Sequence, residues 1–418
     1  MSMNPLRVLY TAFDVVPAPK GASVRIQHML RYLAQLQQPN LAIQAVLLGE
    51  PGYPEHEVTP EGVQIQRLIL PRAAFLERSV AFAEQVIAAC LEFKPQVVHF
   101  RSLWDAYPLV RWRETQGLDF KLVYELHGLP EYELEHHFED LSPALLHKVK
   151  QQQQVVLRAA DIILSPSTVH MAYLQSQGID PRKCYQVPNG VNAEHFTPAT
   201  PALTKQNDQA NPTEQTDPAN QLLQLVYVGT LAPWQGLEHL LEATAQVTAP
   251  FQLQLVGKGQ RRWVRDLMTR AFQLHLSHQL DIVGPVSYEQ VPRYLQQADI
   301  ALAPLDTSDR NCVQGCMPLK ILEYMACGCA IIASDIPVNR ALLSHEHNAL
   351  LYPAEDTEAL AAAIQRLAQD PGLRQRLGAQ ARADVLQHYA WQQSLGQIAE
   401  IYRRISEGSV PSHGESSL

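Results

Sequence analysis

The sequence predicts an α/β protein built from two parallel-sheet domains. Short apolar runs rich in β-branched residues alternate with longer helical patterns along most of the 418 residues. This alternation is typical of parallel sheets whose faces are covered by helices. It is interrupted at residues 199–220, which are polar and lack an apolar period, so we expect a flexible linker or an inserted surface loop there. The length also favours two or three domains.

The first domain is expected to span residues 1–198. Its strands are predicted at Val8–Ala12, Ala42–Leu48, Val97–Phe100, Leu122–Leu126 and Ile162–Leu164. Its helices are predicted at Val24–Gln37, Ala73–Phe93, Pro143–Ala159 and Thr168–Gln177. The apolar strand runs are short enough for strands that are buried on both faces.

The second domain is expected to span residues 221–387, followed by a C-terminal helix within 388–406 and a disordered Ser- and Gly-rich tail at 407–418. Its strands are predicted at Gln224–Gly229, Phe251–Val256, Asp281–Val283 and Ile300–Pro304. Helices are predicted at Leu237–Val247, Arg261–His275, Tyr288–Gln297, Thr357–Gln369, Gly372–Gln387 and Trp391–Ile405.

Composition excludes several classes of protein. The formal net charge of −9 argues against nucleic-acid binding, which normally needs a basic face. No run approaches the roughly 18 apolar residues that a membrane span requires. The first predicted strand begins near Leu6, which leaves no room for a signal peptide. We therefore expect a cytoplasmic protein with mostly reduced cysteines.

Residues 318–334 carry the clearest chemical signal, because they predict a short helix, a turn and a buried strand. Pro318 suits the first position of a helix, where its missing N–H costs nothing. The free N–H groups of Leu319 and Lys320 would then form a seat for a phosphate. Glu323 follows one turn later and could accept hydrogen bonds from ribose hydroxyls. The segment therefore predicts a site for a nucleoside diphosphate.

Four cysteines cluster around this segment, at Cys312, Cys316, Cys327 and Cys329. Their C-x3-C and C-x-C spacings differ from those usual in structural zinc sites, so we expect no metal. Cys327 and Cys329 flank a turn glycine, where small buried residues are ordinary. A redox-sensitive pair of Cys312 and Cys316 is the remaining alternative.

Several further segments extend the pattern over nearly the whole chain, in a fixed order. They are Lys20–Arg25, Pro95–His99, Glu125–Gly128, Arg158–Asp161 with Ser165, Pro188–Asn192 with Phe196 and Pro198, Tyr227–Gly236, and Ala298–Ile300 with Pro304. Together with residues 318–334 they resemble the signatures of the retaining glycosyltransferases of family 4. The Pro-Leu-Lys form of the donor signature resembles that of a subgroup of the family.

The resemblance implies a GT-B fold, in which two Rossmann-like doubly wound domains face each other across a cleft and the last helix crosses back to the first domain. It also implies transfer of a sugar from a nucleotide-diphosphate sugar to an acceptor, with retention of configuration and without metal or cofactor. The acceptor is left open between a glycan, a lipid-linked sugar and a small molecule. The residues assigned to catalysis are His127, Lys320 and Glu323. The donor-binding residues are Gly21, Gly229, Arg310, Gly315, Cys316, Met317, Pro318, Leu319, Lys320 and Glu323. On the acceptor side lie His99, Arg101 and Trp104, the last as a stacking surface for a sugar ring.

Three positions depart from the family pattern, which usually has Glu at 315, Arg at 230 and Lys at 235. Here they are Gly315, Thr230 and Gln235. The expected replacements for the lost positive charges are Lys320 and either Arg310 or Arg25. Two alternatives remain open, a nucleotide-binding homologue without catalysis and another GT-B enzyme such as a sugar-nucleotide epimerase or a phosphorylase.

Arginines also crowd the first half of the chain, which raises contact with a membrane surface as a further hypothesis. The arginines concerned are Arg25, Arg31, Arg67, Arg72 and Arg78. A solvated basic face explains the same pattern.

Overall fold

The computed structural model describes residues 5–18, 20–137, 141–199 and 222–408. The chain divides into an N-terminal unit, formed by residues 1–189 and 392–418, and a C-terminal unit, formed by residues 190–391. The boundaries between the two units therefore follow Asn189 and Trp391, whereas the domain boundaries predicted from the sequence lie near residues 198 and 387. The linker expected at 199–220 and the tail expected at 407–418 lie, except for residues 199, 407 and 408, outside the described residues.

The N-terminal unit contains an eight-stranded sheet in the order β3-β4-β2-β1-β5-β6-β7-β8. The strands are β1 Leu6–Val15, β2 Leu41–Leu48, β3 His56–Val58, β4 Gln64–Leu68, β5 Val97–Phe100, β6 Lys121–Glu125, β7 Ile162–Ser165 and β8 Cys184–Gln186. Neighbouring strands are parallel except for the antiparallel edge pair β3 and β4. The strand order reverses at β1, which pairs with both β2 and β5, and Tyr10 lies opposite His99.

The helices of this unit bury apolar faces against the sheet. They are α1 Gly21–Ala34, α2 Phe75–Phe93, α3 Leu103–Gln116, α4 Pro130–His137, α5 Pro143–Ala159 and α6 Thr168–Ser176. Val98, Phe100, Leu122 and Tyr124 of the sheet pack with α2, α3 and α5 in one core. Burial of such side chains contributes roughly 1.5–3 kcal/mol each.

The C-terminal unit contains a six-stranded parallel sheet in the order β11-β10-β9-β12-β13-β14. The strands are β9 Leu223–Val228, β10 Phe251–Val256, β11 Leu280–Gly284, β12 Ile300–Ala303, β13 Ala330–Ser334 and β14 Leu350–Tyr352. This order is that of a Rossmann-type doubly wound sheet, in which ligands bind beyond the carboxyl ends of the strands where the order reverses. The reversal lies between β9 and β12, and the predicted α/β class with two Rossmann-like domains is confirmed.

Helices cover both faces of this second sheet. They are α7 Leu237–Thr244, α8 Arg261–Gln273, α9 Val291–Gln297, α10 Leu319–Ala326, α11 Pro337–Arg340, α12 Thr357–Gln369 and α13 Pro371–His388. One core forms around Leu253, Leu302 and Ile332, and the other around Ile321, Met325 and Ile331. Two more helices, α14 Trp391–Ser394 and α15 Gly396–Ser406, end the described chain.

The predicted helix Trp391–Ile405 is wrong in one respect, because the structure divides it into α14 and α15 ahead of Gly396. Pro318 likewise precedes the helix that it was expected to begin, since it has an extended backbone and α10 starts at Leu319. The patterns of the sequence did not indicate β3, β4, β8, β14, α3, α4 and α11. These elements are short or, like α3 with Pro108 inside it, lack a clear apolar period.

The arginines that suggested a membrane surface do not form one exposed set. Arg25 is 1% exposed and Arg67 is 5% exposed. Arg67 donates hydrogen bonds to the carbonyls of Val16 and Pro54 and pairs with Glu57. Both are therefore structural residues rather than surface charges. None of the helices in the described part of the chain is long and apolar enough to cross a membrane.

Arg25 is anchored by a buried ion pair that joins α1 to β6. Its Nε lies 2.6 Å from Oε1 of Glu125, which is fully buried. Its two Nη atoms donate to the carbonyls of Pro188 and Val187 and to the amide oxygen of Asn189. A buried charge is tolerated when it is paired and hydrogen-bonded in this way.

We expect Arg25→Met to destabilise the N-terminal unit by about 3–5 kcal/mol, because it leaves the charge of Glu125 buried beside fewer cations. The matched control on the same helix is Arg31→Met, whose half-exposed pair with Glu61 is worth at most about 1 kcal/mol. Hydrogen-exchange protection of β1 and β6 amides measures the loss within this unit. Equal losses of stability in Arg25→Met and Arg31→Met would contradict the structural role of the buried pair. In the Arg25→Met background, Glu125→Gln should recover part of the lost stability, and a failure to do so would also contradict this role.

Candidate active site

The C-terminal unit places a lysine at the N-terminus of α10, beside the end of β9. The Nζ atom of Lys320 donates hydrogen bonds to Oε1 of Gln235 and to the hydroxyl of Tyr227, the latter over 3.0 Å. It also lies 4.3 Å from the centre of the Tyr227 ring, a cation–π distance. The ammonium group is therefore held at a fixed point where the strand order of the sheet reverses.

Helix α10 is itself fixed across β9 and β12 by Tyr324. The hydroxyl of Tyr324 accepts a hydrogen bond of 2.8 Å from the backbone N–H of Val228 and lies 3.3 Å from the carbonyl oxygen of Leu302. At the other end of the helix, Arg382 donates to the carbonyl of Ala326. These contacts fix the position of α10 relative to β9 and β12.

Gly229 follows β9 and leaves room for the lysine. Its φ of 152° is one that side chains rarely allow. A Cβ atom there would lie 3.1 Å from Nζ of Lys320 and 2.9 Å from the hydroxyl of Tyr227. A larger residue would therefore displace the ammonium group from its two acceptors.

Lys320 and Glu323 are both titratable near neutral pH. Burial lowers the pKa of Lys320 to about 7, although the neighbouring carboxyl of Glu323 opposes this shift. Burial likewise raises the pKa of Glu323 to about 8, against the effect of Lys320. An anion beside Lys320 would stabilise its charged form, and hydroxyl donors would stabilise the carboxylate of Glu323.

The segment before α10 contains the other predicted donor-binding residues. Arg310 begins a π-helical turn at Arg310–Gln314, and its guanidinium lies 4.7 Å from the centre of the Trp234 ring. Asn311 fastens this turn by donating to the carbonyl of Trp234 over 2.8 Å. Gly315 ends the turn in a left-handed conformation with φ of 65°, which disfavours the glutamate usual in the family. Met317 is buried in the core beside α10.

The four cysteines near this segment are free thiols. Cys327 and Cys329 are buried in the core, where burial raises the pKa of the Cys329 thiol to about 12. Cys312 and Cys316 are half-buried, and the Sγ atom of Cys316 accepts a hydrogen bond from Gln314. Within the described ranges, no three His, Cys, Asp or Glu side chains are grouped so that they could hold a metal ion.

The N-terminal unit collects charged groups around Glu125, at the end of β6. Its Oε1 accepts from Arg25 and lies 2.8 Å from Nε2 of His127, and its Oε2 accepts from the hydroxyl of Tyr10 over 2.9 Å. Nε2 of His99 lies 3.5 Å from the same Oε2. Burial by itself would raise the pKa of Glu125, but neighbouring cations hold it well below its usual range.

His127 is a neutral imidazole with a defined tautomer. Burial lowers its pKa to about 3, and the nearby arginine charges act in the same direction. Since the ionised Glu125 can only accept a hydrogen bond, Nε2 must carry the single proton. Nδ1 then presents a lone pair, which can accept a hydrogen bond from a hydroxyl group.

A cavity of about 490 Å³ lies next to this cluster, within the N-terminal unit. The predicted site residues His127, Arg101 and Trp104 line it, together with Lys20. Trp104 packs edge-on against Phe75 with ring centres 4.9 Å apart. The cavity has the size of a small-molecule site, about 300–1,000 Å³.

Two predicted site residues, His99 and Gly21, do not lie where the sequence predicted them. His99 is fully buried and does not line the cavity, and its Nδ1 lies 2.8 Å from the hydroxyl of Tyr402 on α15. Gly21 is exposed and begins α1 instead of forming a loop between β1 and the helix. Arg25 is committed to Glu125 and to backbone carbonyls, so it cannot supply the missing charge of a phosphate site.

Sequence reasoning missed Tyr227, Glu125 and Tyr402 as members of these clusters. Glu125 belongs to the Glu-Leu-His-Gly segment, where only the histidine was singled out. Tyr227 begins the Tyr-Val-Gly segment of β9 and was treated as a strand residue. No sequence signal indicated that Tyr402, near the C-terminus, would meet His99.

The two Rossmann-like units define the GT-B fold of glycosyltransferases. A sucrose-phosphate synthase from Thermosynechococcus elongatus superposes with a TM-score of 0.78 at 22% identity, over 97% of this chain and all of the other. HepE from Anabaena, solved with UDP-glucose, superposes with a TM-score of 0.72 at 17% identity, over 95% of this chain and 99% of the other.

Family models identify the family within this fold. Residues 19–195 match the model described as Glycosyltransferase Family 4, and residues 223–370 match the model described as Glycosyl transferases group 1. The chain belongs to this glycosyltransferase family, as the ordered sequence motifs implied.

Curated relatives are 24–26% identical to this chain over parts of their length. An alpha-maltose-1-phosphate synthase of Mycolicibacterium smegmatis is 26% identical over 308 residues, which is 69% of this chain and 77% of the relative. An uncharacterized glycosyltransferase of Methanocaldococcus jannaschii is 24% identical over 182 residues, 43% of this chain. A D-inositol 3-phosphate glycosyltransferase of Geodermatophilus obscurus is 24% identical over 275 residues, 62% of this chain. The chain spans only 44% and 56% of the lengths of these last two relatives.

We expect Gln235→Glu to raise the pKa of Lys320 by about 1–3 units, because a carboxylate would replace the amide oxygen that contacts Nζ. Titration of the lysine signal by NMR, assigned with Lys320→Met, measures the change. The control Gln246→Glu changes an exposed glutamine of the same unit and should leave this pKa unaltered. A shift of the same size in both variants would disprove the contact.

Proposed function

We propose that this protein transfers a sugar from a nucleotide-diphosphate sugar to an acceptor hydroxyl, with retention of anomeric configuration and without a metal ion. The C-terminal unit binds the donor, and the N-terminal unit binds the acceptor. The proposal rests chiefly on Lys320, whose ammonium group is fixed by Tyr227 and Gln235 at the N-terminus of α10.

The charge of the leaving group decides which residues catalyse such a transfer. As the glycosidic bond to the diphosphate breaks, negative charge develops on the phosphate oxygen and the sugar becomes oxocarbenium-like. Groups aimed at this charge accelerate the step, because they bind the transition state more strongly than the substrate. The N–H groups of Leu319 and Lys320 and the ammonium of Lys320 are the donors we assign to this role. In this arrangement the lysine supplies positive charge that the family usually draws from residues 230 and 235.

Glu323 is assigned to the nucleotide rather than to the reacting sugar. It lies one turn after the phosphate-binding end of α10, where a carboxylate can accept hydrogen bonds from two neighbouring ribose hydroxyls. The acceptor hydroxyl attacks on the face that the diphosphate leaves, and the departing phosphate takes its proton. No protein nucleophile takes part in this scheme, so a trapped glycosyl-enzyme would overturn it.

His127 is assigned to sugar binding. With its proton on Nε2, its Nδ1 accepts a hydrogen bond from a sugar hydroxyl, and Glu125 keeps the ring oriented. The low pKa of His127 keeps the ring neutral throughout the physiological range, so its contribution does not depend on pH. A donor role for Gly21 and for Arg310 stays a prediction.

Structural neighbours support the donor class. HepE has been solved with UDP and with UDP-glucose, which are a nucleoside diphosphate and a nucleotide-diphosphate sugar. Release of nucleoside diphosphate from a panel of nucleotide sugars identifies the base and the sugar of the donor.

Release of nucleoside diphosphate from a panel of nucleotide sugars tests the function. One donor should be hydrolysed slowly without an acceptor, equally well with and without EDTA, and Glu323→Ala should reduce this rate at least about tenfold because binding to the ribose is lost. The control Glu358→Ala changes an exposed glutamate in the first turn of α12 and should leave the rate unchanged. Tight binding of nucleoside diphosphate without turnover of any donor, in the presence of sugar acceptors, would favour a homologue that binds nucleotide without catalysis.

The two titratable groups of α10 should produce opposite pH dependences of donor binding. In Glu323→Gln, affinity should fall as the pH rises through the pKa of Lys320, because the diphosphate requires the charged ammonium. In Lys320→Met, affinity should rise with pH, because the ribose hydroxyls require the carboxylate of Glu323. Each slope reaches at most about tenfold per pH unit for one linked proton. Calorimetric titrations between about pH 6 and 9 measure both slopes, and slopes of the same sign would refute these roles.

A further inference from the structure

The cavity of the N-terminal unit contains a buried guanidinium group in which two of the three nitrogen atoms lack hydrogen-bond partners among the described residues. The side chain of Arg101 is 4% exposed and lines the cavity. Its Nε and Nη1 atoms are buried, and neither donates a hydrogen bond to any of the residues that the structure describes. The nearest carboxylate oxygen to Nη1 is Oε2 of Glu125, at 3.9 Å, which is beyond hydrogen-bond distance.

Comparison with Arg25 shows how unusual this arrangement is. Arg25 is equally deep, yet its guanidinium donates to Glu125, to two backbone carbonyls and to an amide oxygen. Burying the nitrogen donors of a charged group without such bonds is unfavourable. Glu125 attracts Arg101 electrostatically but makes no hydrogen bond to its Nε or Nη1; its Oε1 accepts from Arg25 and lies 2.8 Å from Nε2 of His127, and its Oε2 accepts from Tyr10.

The other nearby carboxylates are engaged elsewhere. Asp105 accepts hydrogen bonds from the hydroxyls of Thr11 and Ser102. Asp14, which lines the cavity, pairs with Lys20 over 2.8 Å. Both carboxylates thus have donors of their own, and neither makes a hydrogen bond to Arg101.

A second arginine on the cavity wall repeats the pattern. Arg78 of α2 lines the cavity, and its Nε is likewise buried without a hydrogen-bond partner in the described ranges. The charged side chains on the wall are Lys20, Arg78 and Arg101 against Asp14 and Glu133. The wall therefore carries an excess of positive charge, concentrated on two arginines with unused donors.

We propose that Arg101 and Arg78 form an anion subsite, and that the acceptor is a sugar-sized molecule carrying a phosphate or a carboxylate group. Planar guanidinium groups bind both anions through paired N–H donors. The assignment of this ligand as the acceptor rests on the proposed transferase function, whereas the subsite itself rests on the cavity alone.

The rest of the cavity suits the remainder of such a molecule. Trp104 and Phe75 provide an apolar wall on which the face of a sugar ring can pack. The volume of about 490 Å³ leaves room for one or two sugar rings with the anionic group.

Calorimetric titration of the full chain with glucose 6-phosphate, glucuronate and glucose tests the subsite. We expect at least one of the two anionic sugars to bind at least about tenfold more tightly than glucose, because charge-assisted hydrogen bonds form with Arg101. The two anionic probes distinguish phosphate from carboxylate as the preferred group. For each variant, the affinity for an anionic sugar is divided by the affinity for glucose, so a general loss of affinity does not change the ratio.

Three substitutions make the result specific. Arg101→Gln should abolish the preference for anionic sugars over glucose, and Arg101→Lys should retain part of it. Arg78→Gln should reduce this preference at least about threefold. If Arg101→Gln does not fold, the other two variants still decide the question. The control Arg111→Gln removes an exposed arginine of α3 that pairs with Glu114, and the preference should persist.

Equal binding of glucose and both anionic sugars by the wild-type chain would overturn the subsite. So would a preference that survives Arg101→Gln, or one that Arg111→Gln also abolishes, since the cause would then be general charge. The nucleotide-release assay on the wild-type chain separates the two hypotheses. Anion preference without turnover of any nucleotide sugar would refute the transferase while supporting the subsite, and turnover without anion preference would do the reverse.

Discussion

The buried carboxylate of Glu125 is the constraint on which the N-terminal unit depends. Because a charge without solvent must be paired, it gathers Arg25 from α1, Tyr10 from β1 and His127 from the end of β6, with His99 of β5 close by. His99 in turn joins the cluster to Tyr402 of α15. One carboxylate thus fixes the relative positions of three neighbouring strands and two helices, and it sets the tautomer of the histidine that faces the cavity.

The two units treat a buried carboxyl group in opposite ways. Glu125 stays ionised because the charges of Arg101 and Arg25 offset its burial, and its pKa lies well below the usual range. Among the described residues Lys320 is the one cation that lowers the pKa of Glu323, so burial dominates and raises this pKa to about 8. The first group therefore acts as a permanent structural charge. The second can change its protonation when a ligand binds, which suits a residue at the edge of a binding site.

Most of the fold was predictable from the sequence, and some of the site was. Apolar runs located ten of the fourteen described strands, and the Pro-Leu-Lys segment located the start of α10 to within one residue. The same reading failed for β3 and β4 at the sheet edge, where few residues are buried and the pattern is weak. It also took Arg25 and Arg67 for surface charges, because composition does not show that a charge will be paired inside the protein.

The sequence by itself determined the alternation of strands and helices, the family and the segment that carries Lys320 and Glu323. These properties are local, since a period of two or of 3.6 residues is written in neighbouring positions. Only the tertiary structure decided the partners. Lys320 meets Gln235 across 85 residues, and Arg25 meets Glu125 across 100. Such pairs depend on strand order and on the depth of burial, and short-range patterns in the sequence specify neither, so the chemistry of both clusters appears only when the sheets have formed.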